Sequence, residues 1–268
     1  MNYKDTTVGI NRFQVQSFNS IYDFTTYLDS SSVSNIFKGA TLSSQEKSYS
    51  DNWNGTQYYN EAQELLAHGW TPEASALSKK IPLGSTMSQA SKRTNIYSTV
   101  GFQASVPRYL QGVPTNMISS HKTMQKQKVI VLNRSIVFAS GWTSHKIESE
   151  GIKALQVIKA LEGNGFRVKL NVFTIHNVGN DNAVMTICIK KPDEPLNISK
   201  IAFPIAHPSM LRRLGFKWIE NFQEFTNRSI VDGYGSARGD LFSKIMTKGE
   251  HMMPSEIDNV ENYIKTLM

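Results

Sequence analysis

One stretch constrains the fold more than any other. Val129 to Ala139 is a long strand-like run, followed by Ser140-Gly141-Trp142-Thr143-Ser144 as a turn and cap. Ile147, Ile152, Leu155, Ile158 and Leu161 then recur at roughly helical spacing, and Gly163-Asn164-Gly165 stops that helix. Glu148 and Glu150 stand near the positive end of its dipole. Phe166, Val168, Leu170 and Val172 alternate with Arg167, Lys169 and Asn171, the pattern of a half-buried strand. Ala183 to Ile189 is apolar except for Thr186, which suits a strand buried on both faces. Strand, helix and strand joined by short connections mark a right-handed crossover and a parallel sheet. The expected fold class is α/β: a mostly parallel sheet flanked by helices, with an N-terminal mixed α/β extension.

Around this unit the signals are more local. Phe13 to Phe18 partly alternates like a short strand, and Asn19 can cap a helix that buries Ile21, Phe24 and Leu28. Ser30 to Asn54 is rich in Ser and Asn and reads as irregular. Thr56 is a good N-cap for a helix from Gln57 to about His68, with Tyr58, Ala62, Leu65 and Leu66 as its apolar stripe and Gly69 as its stop. A short helix is expected after Thr71-Pro72-Glu73. One helical turn is expected at Arg108 to Gln111. Two helices, Ile198 to Ala206 and Pro208 to Phe222, should follow the last strand, and Pro254-Ser255 should open a final helix. Residues 1–125 thus form an N-terminal mixed region with irregular loops. Residues 126–268 form a Rossmann-like α/β domain, and the two parts are expected to pack as one unit.

The charge is unevenly placed. The chain carries 29 Lys and Arg against 22 Asp and Glu, for a net +7. Ala74 to Ile147 contains no acid but ten bases: Lys79, Lys80, Lys92, Arg93, Arg108, Lys122, Lys126, Lys128, Arg134 and Lys146. The other 194 residues hold 19 bases and 22 acids, a net of −3. Clustered cations release condensed counterions from a phosphate backbone, so this window is the expected nucleic-acid or polyanion contact. Tyr97, Phe102, Tyr109 and Trp142 in the same window could stack on bases. The bland alternative is that these charges face different directions and pair with acids elsewhere in the fold.

No catalytic signature stands beside it. The single cysteine, Cys188, excludes an internal disulfide, a zinc finger and a CxxC pair, and its apolar strand marks it as an inert core residue. The six histidines show no HxxxH, HxH or HExxH spacing. His207, between two helices, reads as structural. The glycine-rich Gly233 to Gly239 lacks the Lys-Ser/Thr ending of a phosphate loop and reads as a surface loop. Arg212 and Arg213 are candidates for an interaction, although adjacent helical residues point about 100° apart, and their plainer reading is solvated charges with stems on the core. No metal or cofactor is expected. No apolar run reaches membrane-spanning length and no secretory signal is evident, so no membrane contact is expected.

Ser140 and Ser144 lie where an open parallel sheet binds ligands, at the carboxyl end of a strand. The layout resembles a von Willebrand A-type domain, which implies an Asp-x-Ser-x-Ser metal motif at this turn. Ala139 stands in the Asp position, so a hard cation would lack its carboxylate and an ordinary capped helix start is expected. Three further segments also carry a resemblance. These are Trp53-x-Gly55-Thr56 continuing to Gly69-Trp70, then Val106-Pro107-Arg108-Tyr109-Leu110-x-Gly112-x-Pro114-x-x-Met117, and Ala202-Phe203 followed by Ala206-His207-Pro208-x-Met210-Leu211-Arg212-Arg213. Together they resemble a family of uncharacterised proteins of tailed bacteriophages over roughly residues 50 to 268. The resemblance implies a phage setting, in the host cytoplasm or the virion, and assigns no functional residue.

The leading expectation is a non-enzymatic phage protein that binds nucleic acid or another polyanion through residues 74–147. The alternative is a virion, assembly or host-antagonist protein that acts by protein contact or self-association. An enzyme acting on nucleic acid or nucleotides ranks last, because it needs three or more carboxylates or histidines converging in one pocket.

Overall fold

The strand-like run of residues 129–135 becomes a strand whose even-numbered residues face a layer of helices. The computed structural model describes residues 1–30, 51–70, 92–123, 128–138, 141–178, 180–226 and 239–268. In chain order its strands and helices include β1 (Asn2–Val8), β2 (Asn11–Phe18), α1 (Ile21–Ser30), α2 (Asp51–Asn54) and α3 (Tyr59–His68). Next come β3 (Lys92–Ser98), β4 (Gln103–Ala104), α4 (Val106–Leu110), β5 (Met117–Thr123), β6 (Val129–Ser135), α5 (Ser144–Gly163), β7 (Arg167–Val178) and β8 (Asp181–Lys190). The chain continues with α6 (Ile198–Ala206), a π-helical segment (Met210–Gly215), α7 (Phe216–Thr226), α8 (Gly239–Phe242), β9 (Glu250–Met253) and α9 (Val260–Leu267).

Six strands form one mixed sheet in the order β1-β2-β8-β7-β6-β9. The pairs β2–β8, β6–β7 and β6–β9 are parallel, and β1–β2 and β7–β8 are antiparallel. The fold is thus α/β with a mostly parallel sheet, and the strand–helix–strand unit β6-α5-β7 has its two strands parallel. Strands from both sides of residue 125 share this sheet, since β2 lies against β8. Residues 92–123 build a separate three-stranded sheet in the order β3-β5-β4. Among the described residues no helix is long and apolar enough to cross a membrane.

Ile130, Leu132, Val168, Leu170, Val172, Ala183, Met185 and Ile187 bury against α1, α3, α5, α6, the π segment and α7. A smaller cluster on the opposite face joins Phe13, Phe173, Ile175 and Val184 to Leu241 and Phe242 of α8, with the Phe173 and Phe242 rings stacked 3.7 Å apart. Burying each such side chain fully contributes about 1.5–3 kcal/mol. The Trp218 indole N–H of α7 is satisfied within the core by Gln16 Oε1 at 2.6 Å.

Arg134 continues the inward face of β6 and is fully buried, so it leaves the presumed basic surface altogether. Its Nη1 donates to Pro254 O at 3.2 Å, and burial lowers its pKa to about 10 despite the field of nearby Glu150. Burial alone would raise the Glu150 carboxyl. Hydrogen bonds from Lys153 (2.7 Å) and the Ile257 N–H (2.9 Å), with the charges of Lys153 and Arg134, bring it below its ordinary value.

Several local expectations are corrected by these contacts. Thr56 does not cap α3. Its hydroxyl accepts from Ser209 Oγ at 3.0 Å, and α3 starts at Tyr59 after Tyr58, which makes no side-chain cap bond. Ser20, not Asn19, caps α1 by accepting from the Asp23 N–H. The last helix begins at Val260, capped by Asn259, because the preceding Pro254 and Ile257 spend backbone groups on Arg134 and Glu150. Ala183–Ile189 is not buried on both faces throughout: Thr186 and Cys188 are half-buried, so the cysteine is not a core residue. Burial still raises the Cys188 thiol pKa, leaving it unactivated. The short helix expected after Pro72, the Ser-rich residues 31–50 and the glycine-rich residues 233–238 lie outside the described residues.

Candidate functional site

The unit built from residues 92–123 holds four of the ten bases in the acid-free window, three of them on its strands. In the β3–β5 register Arg93 stands opposite Lys122, Lys92 opposite Thr123, and Tyr97 opposite Ile118. Directly opposed residues of an antiparallel pair share one face, and alternate residues share it too, so Arg93, Lys122 and Tyr97 belong to the same face. Arg108 arrives from α4, a short helix with Pro107 in its first turn, and its guanidinium lies 4.1 Å from the Tyr97 ring centroid. Residues 92–123 hold Lys92, Arg93, Arg108 and Lys122 and no acid. Tyr97, Phe102 and Tyr109 are 51%, 66% and 67% exposed, so these aromatic rings are available to a partner.

The rest of the basic window separates from this sheet. Lys128, just before β6, is exposed and its Nζ lies 5.9 Å from the Phe166 ring. Lys146 sits over the Trp142 ring and pairs with Glu256. Lys79, Lys80, Lys126 and Ser140 lie outside the described residues. Ser144 is the first residue of α5, whose cap is Thr143, accepting from the Lys146 N–H at 3.3 Å.

Arg212 and Arg213 are not solvated. Both are buried, at 2% and 1% exposure, because the π-helical segment turns them inward. Arg212 donates to Trp53 O and to Trp142 O (3.2 Å), with its guanidinium 4.3 Å from the Trp53 ring, and burial lowers its pKa to about 10. Arg213 Nη2 donates to Thr56 O (3.1 Å) and Gln57 O (2.9 Å). Single-turn π segments recur at functional sites. Here the two guanidinium groups pin the 53–57 turn from two sides rather than meeting an outside partner.

That turn forms one wall of a cleft of about 670 Å³, within the range of small-ligand pockets. Its lining includes Gly55, Thr56, Glu61, Glu64, His68, Trp70, Glu148 and His207. Gly55 has φ +80°, and a Cβ there would lie 2.4 Å from Pro208 Cγ, so only glycine lets the turn close on the His207-Pro208 corner. His207 is 8% exposed; its ring stacks on Phe203 and meets Trp70 edge to face, each 4.9 Å away. Burial lowers its pKa to about 4, and its Nδ1 accepts from the Ser209 N–H at 3.2 Å. The ring is therefore neutral with its proton on Nε2.

The family model for a domain of unknown function, DUF7192, matches residues 4–264. The chain belongs to the DUF7192 family. No curated protein and no solved structure matches it. The match takes in the N-terminal strand pair as well as the later α/β unit, in keeping with the single sheet that both enter.

In this DUF7192 chain the cleft brings together five side chains that linear reading left scattered. Glu61, Glu64 and His68 stand at i, i+3 and i+7 of α3, one helical face, and that spacing was the available signal. Glu148 and His207 come from α5 and the end of α6, and no local spacing announces them. Among the described residues no three His, Cys, Asp or Glu side chains form a group that could hold a metal ion.

Proposed function

We propose that this protein is a polyanion binder, with nucleic acid as the partner, and that the contact lies on the β3–β5–β4 sheet; the five carboxylate and histidine side chains that line the cleft keep an enzyme acting on nucleic acid or nucleotides as a competing reading. The observation that carries the reading is the placement of Arg93 opposite Lys122 in a unit with no acid. Arg108 over the half-exposed Tyr97 adds a flat cationic and aromatic platform, which favours unpaired bases over duplex. The phage setting follows from the resemblance of residues 50 to 268. A second reading, docking of a virion, assembly or host protein, draws on the exposure of Val100, Phe102, Val106, Tyr109 and Leu110 in the same unit.

Fluorescence anisotropy with a labelled single-stranded oligonucleotide tests the first reading. If four phosphates are neutralised, affinity falls about 50-fold between 50 and 200 mM salt. Arg93→Glu combined with Lys122→Glu is expected to lower affinity more than about tenfold while leaving the unfolding midpoint in place. Absence of binding at 50 mM salt, or indifference to the double reversal, overturns the reading. A partner protein recovered equally well after nuclease treatment points to the second.

A further inference from the structure

We propose that the C-terminal segment, β9 through α9, is a hinged strap that opens as a unit from the rest of the fold, and that the buried guanidinium of Arg134 primes it to open. The hold of this segment on the body is slight. β9 is a four-residue edge strand that pairs with β6 over Val131–Arg134. Its buried apolar side chains, with those of the residues that follow it, are Met253, Ile257 and Leu267. The rest of the attachment is a polar clasp. Arg134 Nη1 donates to Pro254 O, Glu150 Oε2 accepts the Ile257 N–H, and Lys146 pairs with Glu256 at the surface. An exposed ion pair of that kind holds little. Arg134 is the weak member of the clasp. It has no exposed surface, yet its Nε and Nη2 have no hydrogen-bond partner among the described residues. Glu150, the carboxylate whose field it feels, spends its oxygens on Lys153 and the Ile257 N–H. A buried cation with idle donors is unfavourable until water reaches it. Pro254 belongs to the strap, so lifting the strap hydrates the guanidinium, and the closed form alone carries the penalty. Tyr263 donates its hydroxyl to Met252 O at 3.3 Å, which ties α9 to β9 so that the two move together. The hinge precedes them: residues 247–249 are exposed, and Gly249 has φ +92°. A segment with few buried apolar contacts opens at a lower free energy than the whole domain.

Hydrogen exchange of the full-length protein, followed peptide by peptide in low urea by mass spectrometry, provides the test. Peptides from residues 250–267 are expected to exchange together, about 100-fold faster than those of β7 and β8 and with a weaker dependence on urea. Arg134→Met keeps the length of the side chain and removes the buried charge, and it should slow exchange of the strap about tenfold. Glu150→Gln weakens the acceptor of the Ile257 N–H and should speed that exchange about tenfold. Exchange of the segment at the β7–β8 rate, or unchanged or faster exchange in Arg134→Met, overturns the proposal. If Arg134→Met does not fold, Glu150→Gln carries the test, and unchanged exchange of the segment there overturns the proposal as well. Nucleic-acid binding by the β3–β5–β4 sheet is read separately, so either result can fail without the other.

Discussion

Between pH 6.5 and pH 4 the folded protein is expected to lose about 6 kcal/mol of stability, a large share of the roughly 5–15 kcal/mol that a domain usually has. Two buried histidines set this loss. Burial lowers both His176, which bonds Thr174 Oγ1 at 3.2 Å, and His207 from 6.5 to about 4. In the unfolded chain each imidazole takes up a proton below its ordinary pKa, whereas the folded chain refuses it until near pH 4. In that window the unfolded state binds more protons, so stability falls as pH falls, by about 3 kcal/mol for each ring. Glu150 adds a later loss: its lowered pKa gives stability that is present above the ordinary carboxylate range and lost as pH falls through the folded value. Urea denaturation at pH 7, 5.5 and 4 measures the slope. His176→Gln keeps a hydrogen-bonding side chain and cannot titrate, so it should remove about half of the dependence above pH 4.5. A flat stability profile from pH 7 to 4.5 would refute the burial of both rings.

The second large effect is steric. Gly151 is the point of closest approach between α5 and α6, where an added Cβ would lie 2.3 Å from Ala206 Cβ and 2.6 Å from Ala206 Cα. Helix propensity alone predicts that alanine stabilises this position by about 1 kcal/mol. The contact with Ala206 decides otherwise, because neither helix can yield without leaving the sheet. Gly151→Ala is expected to destabilise by about 2–3 kcal/mol and to lower the melting temperature by roughly 6–10 °C. Gly163→Ala serves as the contrast, since a Cβ at Gly163 meets nothing within 4 Å, and it should be neutral or mildly stabilising. Ala206→Gly in the Gly151→Ala background should restore part of the loss. A Gly151→Ala protein that melts at or above the parent temperature would show that the two helices have slack.

The sequence reveals elements whose burial follows one periodic pattern. β6 was legible as a continuous strand-like run, α5 and β7 because each repeats or alternates along its length, and α6 matches its expected bounds, Ile198–Ala206. What stayed hidden depends on contacts between distant residues. Nothing near Arg212 and Arg213 says that the carbonyls of Trp53, Thr56 and Gln57 will accept their hydrogen bonds, some 157 residues away in the case of Thr56. Arg134 looked like a surface cation in a basic run, yet it occupies the inward register of β6 beyond Ile130 and Leu132. The cleft was hidden for the same reason: its carboxylates and histidines come from three separated helices. The basic window was legible as composition, and only strand register divided it into a sheet bearing Arg93 and Lys122 and a remainder that folds elsewhere.

The pairing of β2 with β8 also sets a timetable. Arg12 and Asn182, bonded at 2.9 Å, are separated by 170 residues of chain. At synthesis rates of about 5–20 residues per second, the first hairpin waits about 10 to 30 s for the strand it must join. Until then Phe13 and Phe18, both buried in the finished fold, have no sheet to cover them. The β1–β2 hairpin is therefore made long before it can be seated, and a nascent chain depends on whatever shields it in the interval. Refolding from denaturant removes the wait but keeps the long loop to close, so slow folding is built into the strand order itself.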